Sequence, residues 1–144
     1  MTVPTQARVS DLEDPKLEAL VELMWLAASA DDEVSDAERA ELRRHVEGLT
    51  AGRLAGARVD AILGECAKLL ERDGRERRIA AVRDRLDQPL HRELAIATAI
   101  RIFAIDGVLR TSERDMILEL AEALGIDGNV AADLVREITA KKNV

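Results

Sequence analysis

The chain has 144 residues, of which 47% are hydrophobic and 34% charged, and its formal net charge is −7. That length suits one domain with a substantial core, and the mixture is too apolar for a disordered chain. An acidic surface repels phosphate backbones, and one Trp and one Phe leave almost nothing to stack on bases, so composition argues against nucleic-acid binding.

Strong helix formers dominate, and the prolines at positions 4, 15 and 89 stand outside every helical run. The expected fold class is all-α, a compact bundle of about seven helices. Residues 1–13 are polar and unpatterned, and read as a flexible tail. The first helix opens at "EDPKLEAL", with Asp14 expected to cap it and Pro15 suited to the first turn. Leu17, Leu20, Val21, Met24, Ala27 and Ala28 then recur at helical spacing. A second helix follows "SDAE", a capping box in which Ser35 and Glu38 satisfy each other's amides. The third covers about 56–72, with Val59, Leu63 and Cys66 inward and Gly74 as its stop.

A short fourth helix, 75–86, buries Ile79 and Val82 and turns arginines outward. The fifth starts at "DQPLHREL", capped by Asp87 or Gln88. From Leu94 to Ile105 only Thr98 and Arg101 are polar, the pattern of a helix buried nearly all round. On that reading Leu94, Ala99, Ile102 and Phe103 are buried, Cys66 and Trp25 largely so, and Phe103→Ala costs about 3–5 kcal/mol. The sixth helix runs over about 112–124 with Gly125 as its left-handed cap, and the seventh over about 129–141.

Two acidic turns share one frame. In "ASADDEVSDAERAEL", six of the eleven residues from 31 to 41 are acidic. "AIDGVLRTSERDMIL" repeats the frame 75 positions later: Asp31 meets Asp106, Val34 meets Leu109, Glu38 meets Glu113 and Leu42 meets Ile117. The expected organisation is therefore one domain over 14–141. A first repeat (14–73) and a second (89–141) form two three-helix units about a pseudo-twofold axis, bridged by the helix at 75–86. Each unit alone would expose an apolar stripe, and pairing buries both.

These two stretches resemble the TerB-like family, named for bacterial tellurite-resistance proteins. A related helical module stands at the start of some membrane-anchored J-domain co-chaperones. The shared pattern is Ala-Asp-Gly-x-aliphatic-Ser/Asp-x-x-Glu near the ends of two core helices. The resemblance spans about 16–140. It implies a seven-helix bundle with no catalytic activity, a role in tellurite or general stress response, and divalent-cation binding at Asp31 and Glu38 and at Asp106 and Glu113. Two departures stand out: Asp32 replaces the family's glycine in the first copy, and Arg110 occupies the cap position of the second, where it cannot accept from amides.

Read as chemistry, Asp31, Glu33 and Glu38, with the Ser35 hydroxyl, offer the oxygen ligands that Ca²⁺ or Mg²⁺ takes. The spacing is not that of an EF-hand, because Leu42 stands where the bidentate Glu belongs. The plain alternative is a helix–turn–helix corner in which these carboxylates cap and complement the helix dipole. Asp106 and Glu113 form the weaker second set, opposed by the Arg110 charge. His45 and His91 are the only histidines and Cys66 the only cysteine, so no intramolecular disulfide forms and no zinc motif is present. The arginines from Arg72 to Arg85 read as a solvated face paired with Glu71, Asp73, Glu76 and Asp84, or as a docking face for an acidic partner such as a second copy. No run of 18 apolar residues and no secretory-type apolar core at the start are found, which leads to the expectation of a cytoplasmic protein. The functional expectation is a non-enzymatic binding or scaffold module with a protein partner and weak cation binding. A metal-free adaptor and a metal-dependent hydrolase are the alternatives.

Overall fold

The structure, a computed structural model, describes residues 12–29, 34–104 and 110–142, the last three as backbone only. Seven helices follow in order: α1 (Asp14–Ala28), α2 (Asp36–Leu49), α3 (Ala57–Asp73), α4 (Arg75–Arg85), α5 (Pro89–Phe103), α6 (Thr111–Ala123) and α7 (Gly128–Lys142). Among the described residues there is no strand. None of these helices is long and apolar enough to cross a membrane.

The repeat is written into the element boundaries. α1 and α5 both start and end 75 residues apart, and α2 and α6 start at the same offset. α3 and α7 start at Ala57 and Gly128, only 71 apart, because the link over residues 50–56 is longer than that over 124–127 and α2 is one residue longer than α6. In the first unit α1, α2 and α3 each pack on the other two, and α5, α6 and α7 do the same in the second. α1 and α5 lie against each other between the units, and α4 packs on α1, α3 and α6, which makes it the bridge.

Local chemistry explains most of the helix ends. The Ser35 hydroxyl accepts from the Glu38 amide at 3.1 Å, and a Glu38 carboxylate oxygen accepts from the Ser35 amide at 3.0 Å. The second copy keeps half of this box: Glu113 accepts from the Arg110 amide at 3.1 Å, while the Arg110 side chain has no acceptor to return. Gly125 adopts φ 80° after α6, the left-handed conformation that glycine reaches without a Cβ clash.

Two expectations at the start of the chain are corrected. Glu13, not Asp14, is the N-cap of α1, and it makes no side-chain cap bond. Asp14 instead takes the guanidinium of Arg53 at 2.6 Å and that of Arg58 at 3.5 Å. Packing also begins before the helix, since Leu12 is buried and its carbonyl accepts from Arg53 at 2.5 Å.

The core is centred on α1 and α5. Leu94, Ala99 and every other residue from 94 to 100 are buried, with the Thr98 hydroxyl turned onto the Leu94 carbonyl at 2.8 Å. Trp25 and Cys66 are buried as expected. Ile102 and Phe103 are not: both are half-buried, packed on the edge of the core. In the last turn of α5, Ile102 and Phe103 line a surface groove.

Candidate functional site

The groove lies where the repeats meet. Its rim carries Glu38 and Glu41 from α2 and Glu113 from the start of α6. Its floor is Leu42, Ile102 and Phe103, with Ala28 at one side and His45 closing it, around a cavity of about 310 Å³. Two of these pairs are equivalent positions of the repeat: Ala28 with Phe103, and Glu38 with Glu113. Glu38 and Glu113, one from each repeat, thus face one depression.

Each corner carboxylate is positioned by its own helix start. The backbone bonds to Ser35 and Arg110 tether one oxygen of Glu38 and one of Glu113 at 3.0–3.1 Å and hold both side chains to the first turns of α2 and α6. Glu41, one turn further along α2, meets Arg44 at 3.3 Å and His45 Nε2 at 3.9 Å. Arg39, the base nearest to Glu38 in sequence, is directed elsewhere: it donates to the Asp60 carbonyl at 3.1 Å and lies over the Trp25 ring. No lysine or arginine is among the described residues lining the groove.

Of the residues singled out as cation ligands, Glu38 and Glu113 face this one groove, 75 positions apart in sequence. Asp31, Glu33 and Asp106 lie outside the described residues. Among the described residues no three His, Cys, Asp or Glu side chains are grouped as a metal ion would need.

A second, larger cleft of about 620 Å³ belongs to the first unit alone, between Trp25, Val34, Leu70 and the Arg39 and Glu71 side chains. It mixes opposite charges and converges on no set of like groups. Cys66 is chemically quiet. Burial, and next the charge of Glu22, push its thiol up to about 12, so it is a core hydrophobe.

The arginine-rich fourth helix departs from the solvated face expected of it. Arg78 and Arg85 both reach Glu22, which is only 2% exposed within α1. Arg78 makes a bidentate pair with it at 2.6 and 2.9 Å and also meets Asp73 at 3.1 Å. Arg75 donates to the Leu26 carbonyl at 2.6 Å. Only the outer members, such as Arg77 and Arg83, stay exposed. The inner arginines are therefore a structural clamp of α4 on α1. Their partner Glu22 escaped the sequence reading, although one carboxylate within a run that is otherwise apolar from 19 to 28 signals it.

Comparison of the chain with family models, with curated proteins and with solved structures returned no match.

Proposed function

We propose that this protein is a non-enzymatic binding or scaffold module of the TerB-like kind. It works in the cytoplasm in tellurite or general stress response, and the groove between its repeats is the working surface. The observation that carries this reading is that equivalent positions of the two repeats, Glu38 with Glu113 and Ala28 with Phe103, line one depression. A half-buried Phe103 at the floor of an acidic rim supports recognition, since binding depressions combine an apolar lining with a few polar groups.

On this reading a Ca²⁺ or Mg²⁺ ion binds at the first corner, through Asp31, Glu33 and Glu38. Affinity is weak because the set is small and Glu38 is exposed. Asp106 and Glu113 contribute less, opposed by Arg110. Calorimetric titration and thermal melts with millimolar Ca²⁺, Mg²⁺ and Mn²⁺ test this: a melting shift is expected in the parent chain and not in Asp31→Asn/Glu33→Gln, with helicity unchanged. No shift with any of the three ions removes the cation. It leaves the second reading, a metal-free protein adaptor, which the apolar floor of the groove favours.

A further inference from the structure

The cleft of about 620 Å³ in the first unit is a separate place with a different chemistry. Trp25 of α1, Val34 just before α2, and Ala67 and Leu70 of α3 give it an apolar wall. Arg39 of α2 and Glu71 of α3 add one charge of each sign. Arg39 is half-buried, and its guanidinium is held in place. It lies over the Trp25 ring, 5.8 Å from the centroid, and donates to the Asp60 carbonyl at 3.1 Å. A guanidinium has five N–H donors, and that bond uses one of them. Among the described residues no carboxylate pairs with Arg39, and no base pairs with the exposed Glu71.

The two charges thus line one cleft without pairing with each other. That arrangement accepts a ligand carrying both signs. A carboxylate matches the planar fork of the fixed guanidinium, and an ammonium finds its counter-charge at Glu71. A plain anion has only Arg39 to gain and Glu71 to repel it, and a plain amine the reverse. The rest of the wall is apolar, so the body of the ligand is apolar too. The volume falls within the roughly 300–1,000 Å³ of small-molecule sites. We therefore infer that this cleft binds a small zwitterion with an apolar body, a free amino acid or short peptide with aliphatic side chains. Its carboxylate sits on Arg39 and its ammonium at Glu71. The site is distinct from the groove between the repeats and does not depend on the reading given to that groove.

Trp25 is the one tryptophan of the chain, so its fluorescence reports on the cleft directly. The full chain is titrated with leucine, with Leu-Leu, with Leu-Leu carboxamide, which lacks the carboxylate, and with N-acetyl-Leu-Leu, which lacks the ammonium. Backbone NMR shifts locate the binding. Leu-Leu is expected to change the Trp25 emission and to shift the signals of residues 34, 39 and 67–71. The carboxamide is expected to bind about tenfold more weakly or worse, as for a lost charge-assisted bond. The acetylated peptide is expected to bind about two- to fivefold more weakly, since Glu71 is exposed. Leucine binding as tightly as Leu-Leu assigns the cleft to a single amino acid, and tighter binding of Leu-Leu assigns it to a short peptide. Either result sustains the inference. Arg39→Gln is expected to lose the preference for acid over carboxamide, and Glu71→Gln the preference for free over acetylated amine. An Arg39 that only pins α2 to α3 would change stability and leave the selectivity unmoved. If Arg39→Gln fails to fold by circular dichroism, the four probes on the parent chain still decide. Equal binding of Leu-Leu and its carboxamide overturns the carboxylate site, and equal binding of the acetylated peptide overturns the zwitterion. No response to any probe at millimolar concentration, or shifts that fall elsewhere, overturns the inference altogether.

Discussion

Glu22 shows how far a single side chain can depart from the face on which its neighbours place it. It sits among core residues of α1 at 2% exposure, compensated by Arg78 at 2.6 Å and by Arg85. Removing one member of a buried ionic set strands the others, which costs far more than the set contributes as a whole. Glu22→Ala is expected to lose about 3–5 kcal/mol in urea unfolding. Glu22→Leu combined with Arg78→Met is expected to recover much of that loss, and no recovery would show that the pair does more than fill space. Asp73 sits at the exposed end of the same network. The Arg72 guanidinium beside it, helped by Arg78, holds its carboxyl down to about 2, below the ordinary aspartate value of 3.8. A depressed pKa means the unfolded chain binds the proton first. The contribution is therefore complete above the ordinary value and is lost as pH falls toward about 2. Urea midpoints measured across that window should fall more steeply for the parent chain than for Asp73→Asn. The capping box of Ser35 and Glu38, the Gly125 cap and Cys66 were legible because they depend on neighbours in sequence. Glu22 was not, because its partners lie 56 and 63 residues away.

The helices were legible almost end to end, since hydrophobic period, cap residues and glycine stops are local signals. α2 begins at the capping box, and α6 ends just before Leu124 and the left-handed Gly125. α5 is the instructive exception. Its apolar run promised burial to Phe103, yet the burial ends at Ile100 apart from Ala104. Periodicity says which face of a helix is apolar, but it cannot say how far a neighbouring helix extends to cover it. The energetic consequence is measurable. Ile100→Ala, at a fully buried site, is expected to cost about 2–5 kcal/mol. Phe103→Ala, half-exposed in the groove, should cost about 1–2 kcal/mol, well below the figure for a buried phenylalanine. Equal costs in chemical denaturation would place Phe103 in the core and close the groove.

At the scale of the whole molecule, the repeat accounts for both the architecture and the site. The offset of 75 was readable in the sequence, and it survives in the boundaries of α1 with α5 and in the starts of α2 with α6. The meeting of the two corners was not readable, because it depends on how the units pair rather than on what either contains. Pairing α1 against α5 brings the ends of both core helices, and the starts of α2 and α6, to one place. Duplication would by itself produce two identical corners. The pairing turns them into one acidic groove with an apolar floor. The most direct measurement of that claim is Mn²⁺-induced line broadening in amide-resolved NMR spectra of the full chain. A single ion bound at the first corner is expected to broaden amides over residues 34–41 and, because Glu38 and Glu113 line one groove, those over 110–113 with the same titration midpoint, while those of α4 remain sharp. Broadening confined to residues 34–41, or separate midpoints for the two stretches, would contradict a groove shared by the two repeats.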